Sequence, residues 1–231
     1  MKKSYQLKVE EIKMDINEIL KIVKESNLFK ANPWHGVELW CDKDKNIINV
    51  YIEIVPSNRV KYEMDKKTGY LKVDRPQKYS NIIPSLYGFI PQTYSKEMSA
   101  EVAEKALRRQ NLVGDNDPID ICVLTDRTIV QSDFLLEAIP IGGLRMIDNG
   151  EVDDKIIAVL KDDATYGDFK DIKDVPLKLL DGLKHYFQTY KEIPGESNAA
   201  PKVEIAEIYG FNEALEVINA GERDYLKYFR G

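Results

Sequence analysis

Residues 114–121 read GDNDPIDI, which places three carboxylates within six positions directly before an apolar run. Pro118 fixes its own φ angle and has no N–H group, so this segment cannot continue a helix or lie in a central strand. The segment is therefore predicted to form a rigid turn. That turn would deliver Asp115, Asp117 and Asp120 to the mouth of the strand that follows.

Carboxylates this close together repel one another, by roughly 4 kcal/mol per pair at ~4 Å in an effective dielectric of ~20. They stay ionised only if they are spread into water or surround cations, so an acidic solvated turn and a cation site are both open. A calcium EF-hand needs Gly at position six and Glu at position twelve, where this loop has Asp120 and Asp126. Oxygen ligands without nearby Cys or His favour a hard ion such as Mg²⁺ or Mn²⁺.

The scarcity of histidine and cysteine argues against a zinc site and against a catalytic triad. His35 and His185 are the only histidines, which leaves little for a zinc site or a Ser-His-Asp triad. Cys41 and Cys122 are far apart and are interpreted as reduced packing thiols. The net charge of −6 argues against a general nucleic-acid binder. No apolar run approaches ~18 residues, so no membrane span is expected and a cytoplasmic location is predicted.

A series of short β-type segments separated by Gly and Pro turns predicts a closed barrel rather than a parallel α/β sheet. The pattern at 60–64 alternates, and a hairpin turn at 65–69 leads into a strand at 70–73. The other predicted strands are 47–55, 121–124, 134–139, 143–147 and 155–160.

Four helices are predicted from apolar spacing and capping residues. They cover residues 12–24, residues 99–110 with Ser99 at the start, a segment opened by Asp174 and Pro176, and residues 212–228. No repeat or linker is visible, so the chain is interpreted as one domain of residues 1–231. Within it, residues 1–46 are an N-terminal extension, and residues 91–113 are an insertion before the acidic turn.

A second acidic segment, DNGEVDDK at residues 148–155, lies between two predicted strands and could share cations with the first. The order of the two acidic segments and their neighbours resembles the soluble family I inorganic pyrophosphatases. Residues 115–120 match that family's Asp-x-Asp-Pro-x-Asp motif. The other matching segments, in the same order, are 52–54, 61–63, 73–75, 86–90, 148–155 and 190–191.

This resemblance implies a mainly β protein with flanking helices (α+β) built on a five-stranded, OB-like β-barrel. It implies hydrolysis of pyrophosphate to two orthophosphates with Mg²⁺, for which Mn²⁺ is a possible substitute. It also implies a homo-oligomer, a dimer or a hexamer, formed through surfaces outside the active site. The long extension and the insertion leave that choice open.

The resemblance also implies a set of metal ligands. By motif match, Asp115, Asp120 and Asp153 would hold the first metal, and Asp120 would bridge to the second. Asp148 and Asp153 would bind the metal that arrives with the substrate, and Glu63 would reach a fourth.

The remaining matched positions imply catalytic and phosphate-binding roles. Asp117 matches the general base, Tyr87 is both a catalytic and a phosphate-binding candidate, and Glu53 matches an active-site glutamate that supports the others. The matched phosphate-binding residues are Lys61, Arg75, Tyr87, Lys155, Tyr190 and Lys191.

Two alternatives compete with this interpretation. The strand count and the aromatic residues Tyr62, Tyr70, Tyr79 and Tyr87 are compatible with a non-catalytic OB-type barrel that binds nucleic acid, although an acidic mouth repels a phosphodiester. An inactive homologue would retain the fold, but no matched site residue is replaced here.

Overall fold

The computed structural model describes residues 30–77, 81–190 and 203–231. Two compact units are distinguished, Met1–Ala31 and Asn32–Gly231, and the fold below is that of the second. The predicted helix at 12–24 and the candidates Tyr79 and Lys191 lie outside the described residues.

The described residues form eleven β-strands, three α-helices and one 3₁₀ helix at Ile172–Asp174. The helices are α1 (Glu97–Leu107), α2 (Leu177–Thr189) and α3 (Phe211–Phe229). The strands are β1 (Trp40–Asp42), β2 (Ile47–Ile54), β3 (Val60–Met64), β4 (Leu71–Pro76), β5 (Leu86–Phe89), β6 (Val113–Gly114), β7 (Asp120–Leu124), β8 (Phe134–Asp148), β9 (Glu151–Val152), β10 (Lys155–Leu160) and β11 (Val203–Gly210).

Five strands close into a barrel in the order β2-β5-β7-β10-β8, because β8 pairs with both β10 and β2. Only the β7–β10 pair of this ring is parallel. The predicted five-stranded, OB-like barrel with flanking helices is thereby confirmed. β3 and β4 form a separate two-stranded sheet, a hairpin at the positions that the alternation indicated.

The prediction of two strands at 134–139 and 143–147 was wrong, because β8 runs unbroken through Pro140 and its two glycines. Pro140 lies beside a register shift in β10, where a missing N–H is tolerated. A Cβ on Gly142 would lie 2.4 Å from the Tyr209 carbonyl oxygen, so glycine here lets β11 approach closely. β11 itself was not predicted.

Apolar residues on the two faces of the barrel strands form two large clusters. Ile121 and Val123 of β7 belong to the cluster that includes α3, whereas Cys122 and Leu124 belong to the cluster that includes α2. The alternation of β7 therefore buries both faces and holds the strand rigidly between two helices. Cys122 is a buried thiol as predicted, but Cys41 is exposed and the packing role proposed for it was wrong.

Within the described residues, no helix has the length and apolar character needed to cross a bilayer.

Candidate active site

A pocket of about 630 Å³ opens where the acidic turn, β5, β7 and β10 meet. It brings together residues from distant parts of the sequence, as the two acidic segments predicted. The predicted site residues that line it are Lys61, Arg75, Tyr87, Asp115, Asp117, Asp120, Asp148, Asp153, Lys155 and Tyr190. Glu53 and Glu63 line a smaller adjoining cavity of about 90 Å³, which shares Lys61, Tyr87, Asp117 and Asp120 with the pocket.

The acidic turn is held in shape by its own backbone and by the segment before α1. Asp117 N–H donates to the Asp115 carboxylate at 3.1 Å, and Asn116 takes a left-handed φ of 64° that asparagine tolerates. Ser95 N–H donates to Asp117 O at 2.8 Å, and Asn116 N–H donates to Ser95 O at 3.1 Å. The predicted insertion thus supports the turn directly.

The parallel pairing of β7 with β10 sets the central contact of the pocket. Asp120 and Lys155 are register partners, so both side chains leave the barrel at the same level. Lys155 Nζ donates to Asp120 Oδ2 at 2.5 Å and also contacts the Asp153 carboxylate. Tyr87 OH donates to the same Asp120 oxygen at 2.5 Å.

The pocket holds more negative charge than its buried lysine balances. Burial raises the pKa of Asp115, and the neighbouring charge of Asp153 raises it further. Burial also raises the pKa of Asp153, against the opposing effect of Lys155. Burial alone would lower the pKa of Lys155, but Asp120 and Asp153 outweigh it and raise that pKa above the usual value.

This donor set fits a hard divalent cation. The side chains of Asp115 and Asp153 lie within hydrogen-bonding distance of each other, and Lys155 contacts both Asp153 and Asp120. The ligand atoms that these three residues offer are all carboxylate oxygens, which Mg²⁺ prefers. Across residues 30–77, 81–190 and 203–231, no group of three or more acidic, histidine or cysteine side chains is arranged so that it could hold a metal ion as it stands. The Lys155 ammonium lies between two of the candidates.

The β3–β4 hairpin supplies two further cations to the pocket. Lys61 Nζ lies 3.1 Å from both Glu63 and Asp74, and Arg75 Nη1 lies 2.5 Å from Asp74. Asp74 therefore holds both cations, a role the sequence did not assign to it. The available signal in the sequence was its position inside the matched segment 73–75, directly before Arg75.

Glu53 is 6% exposed and supports the hairpin instead of facing the large pocket. Its carboxyl group accepts from the Met64 N–H at 2.6 Å, which joins β2 to the end of β3. Burial raises the pKa of Glu53 to about 8, despite that hydrogen bond. The supporting role in the active site that the resemblance implies for this residue stays a prediction.

Three further residues, two in the pocket and one in the adjoining cavity, had no assigned role from the sequence. Tyr186 stacks on Tyr190 with ring centroids 5.3 Å apart, and Gln77 lies 3.5 Å from the Tyr186 hydroxyl. Lys66, in the hairpin turn, contacts the Asp117 carboxylate. The helical spacing of Tyr186 and Tyr190 could have indicated that they share a face.

Comparison with known proteins decides what this arrangement is. The inorganic pyrophosphatase family model matches residues 50–226. The chain belongs to this family.

Named relatives support the assignment over most of the chain. The inorganic pyrophosphatase of Chlamydia muridarum is 52% identical over 201 residues, which cover 86% of this chain and 96% of that protein. The soluble inorganic pyrophosphatase 1 of Arabidopsis thaliana is 37% identical, covering 86% of this chain and 82% of the relative.

Solved structures agree with the fold. An inorganic pyrophosphatase from Thermus thermophilus matches with a TM-score of 0.69 at 28% identity, covering 84% of this chain and 99% of the other. A type I inorganic pyrophosphatase from P. falciparum matches with a TM-score of 0.72 at 27% identity, covering 88% and 66%. The resemblance to family I is confirmed, the activity is pyrophosphate hydrolysis, and the nucleic-acid-binding alternative is not favoured. Membership also implies a divalent metal cofactor.

Proposed function

We propose that this pyrophosphatase uses Mg²⁺, with Mn²⁺ as a possible substitute, and Asp117 as general base to split pyrophosphate into two orthophosphates. One observation carries the proposal. The carboxylates of Asp115, Asp120 and Asp153 share a single pocket with fixed cations of the β3–β4 hairpin and β10. Such a pocket can accept a highly charged anion only when divalent cations neutralise its acidic side.

Asp115, Asp120 and Asp153 would hold the metal, with Asp148 and Glu63 as further ligands. When bound, the cation supplies Lewis-acid activation of water and offsets the charge of the substrate. The clustering of three carboxylates around one lysine supports this assignment, because their repulsion falls when a cation joins them.

Fixed cations would bind and orient the two phosphates. Arg75 offers a planar guanidinium that can grip a phosphate with two parallel hydrogen bonds, whereas Lys61 and Lys155 act as point charges. The Tyr87 and Tyr190 hydroxyls would donate to phosphate oxygens, and Lys191 remains a prediction of the same kind. These groups would offset the negative charge that develops on the departing phosphate.

Asp117 would accept the proton of the attacking water. Its side chain is about half exposed, at 46%, and its backbone is pinned on both sides by Ser95 and Asp115. The carboxylate can therefore meet solvent while its position stays fixed, as a general base requires. The Lys66 contact offsets part of its negative charge.

Phosphate release from pyrophosphate tests the proposal, first with Mg²⁺ and then with EDTA. Turnover is expected only with the metal. Asp117→Asn is expected to lower kcat by about 10²–10⁴-fold while KM changes little. The Mg²⁺ concentration for half-maximal activity should stay near the wild-type value, which separates loss of the base from loss of a metal ligand.

A matched control is Asp162→Asn, which makes the same chemical change on the surface at a left-handed φ of 62° that asparagine accepts. Its kcat should equal that of the wild type. An unchanged kcat in Asp117→Asn would reject the base assignment, and turnover in EDTA would reject the metal requirement.

A further inference from the structure

Arg145, in β8, is a fully buried arginine that the site above does not use, with 0% exposure. Its guanidinium lies 3.5 Å from Asp154, 2.9 Å from Glu207 of β11 and 2.7 Å from Glu213 of α3. The Tyr209 ring covers it at 4.8 Å. One buried cation therefore joins a barrel strand, the last strand, the last helix and the second acidic segment.

The position of Arg145 relative to the pocket follows from the alternation of side chains along residues 153–155. Asp153 and Lys155 contact each other on the pocket side, and Asp154 between them faces the opposite way, toward Arg145. The neighbouring residue of β8, Met146, accepts from Asp153 N–H at 2.9 Å. Two consecutive residues of β8 thus contact the Asp153–Asp154 loop. Met146 does so through a backbone hydrogen bond, and Arg145 through a buried ion pair with Asp154 that is not itself a hydrogen bond.

The three carboxylates around Arg145 differ in their exposure to solvent. The Asp154 side chain is 5% exposed, whereas those of Glu207 and Glu213 are 36% and 29% exposed. Without the guanidinium, the two glutamates can turn to water, but Asp154 would be an uncompensated carboxylate in the core. Movement of Asp154 toward solvent would shift its two neighbours, Asp153 in the same loop and Lys155 at the start of β10.

We propose that Arg145 and Asp154 are positioning residues that hold the Asp153–Asp154 loop and the start of β10 in register, and so set the affinity of the acidic pocket for its divalent cation. The inference rests on the proposed role of Asp153 as a ligand. Neither residue lines the 630 Å³ pocket, although Asp154 borders a separate cavity of about 10 Å³ that Asp115, Asp120 and Asp153 also line.

Asp154→Asn tests the proposal, because it keeps the side-chain shape and removes the charge that faces Arg145. The Mg²⁺ concentration for half-maximal activity is expected to rise by about 10–100-fold, the usual effect of losing a partner that orients a metal ligand. A second readout needs no turnover. The rise in melting temperature on adding a fixed, subsaturating Mg²⁺ concentration should shrink in step with the weaker binding.

Glu213→Gln is the matched control, because it removes a carboxylate from the same guanidinium without touching the loop. Both Mg²⁺ readouts should stay at their wild-type values, even if the melting temperature without metal falls. The double variant Arg145→Met/Asp154→Asn leaves no uncompensated aspartate in the core. It should bind Mg²⁺ no more weakly than Asp154→Asn alone, because both changes remove one contact.

Unchanged Mg²⁺ readouts in Asp154→Asn would overturn the proposal, as would equal shifts in Asp154→Asn and Glu213→Gln. Weaker Mg²⁺ binding by the double variant than by Asp154→Asn alone would overturn it too. Failure of the proposed metal site is seen separately, because the unmodified chain would then show no stabilisation by Mg²⁺ and no Mg²⁺-dependent turnover.

Discussion

Lys155→Met tests whether the buried lysine balances the acidic pocket before metal binds. The Lys155 side chain is 3% exposed, and its ammonium meets both Asp120 and Asp153. Methionine nearly matches its length and can keep the contact with the Phe187 ring, which lies 5.8 Å from the ammonium. The substitution therefore removes charge more than it removes packing.

The size of the effect follows from burial. Removing one partner of a buried ion pair costs about 3–5 kcal/mol, because the other charge stays in the core without compensation. For a chain of this length, 1 kcal/mol shifts the melting temperature by about 2–4 °C, so a loss of about 6–20 °C is expected in EDTA. Saturating Mg²⁺ should recover much of it, since the cation then meets the same carboxylates.

Thermal unfolding in EDTA and in Mg²⁺ measures both quantities. Lys161→Met is the control, because Lys161 also meets two carboxylates, Glu137 and Asp162, but on the surface. Its melting temperature should hardly move in either buffer. An equal loss for Lys155→Met in both buffers, or no loss in EDTA, would refute the charge-balance argument.

Three further variants, at positions that do not line the large pocket, are tested by urea unfolding in EDTA. Asp224 is 0% exposed and accepts from the N–H groups of Lys96, Met98 and Ser99. Asp224→Ala should therefore cost about 3 kcal/mol and Ser99→Ala only about 1, and equal losses would contradict this. Burial raises the pKa of Glu53 from 4.5 to about 8, so the folded state binds the extra proton and stability should fall as pH rises through that interval. Glu53→Gln should flatten the slope, and an unchanged slope would reject this origin.

Local patterns predicted the parts of the fold that local residues determine. The alternation at 60–64 matches β3, and the apolar run after Pro118 became β7. β11 was missed because a register shift between Ile205 and Glu207 interrupts its alternation, so no period of two is visible. The start of α1 was misplaced for a related reason. Ser99 looked like its cap, but the capping carboxylate is Asp224, far along the chain.

For the site as well, features set by local sequence could be predicted, and features set by distant partners could not. The acidic turn and its cations could be located because their residue types are unusual in that order, and the structure gathers the described ones in or beside one pocket. Arg145 could not, because a buried charged residue is indistinguishable from a surface one in a single sequence. What distinguishes it is the set of partners that the fold brings near, such as Glu213.

The three consecutive residues 153–155 separate two causes that a static structure shows together. Lys155→Met removes charge inside the pocket while the Arg145 contact still holds the loop. Asp154→Asn leaves the pocket's own charges in place while the loop loses its anchor. The first should lower stability chiefly without metal, whereas the second should weaken Mg²⁺ binding with a smaller loss of stability in EDTA. If both variants gave one pattern, charge and position would not be separable here, and a single cause would have to explain the pocket.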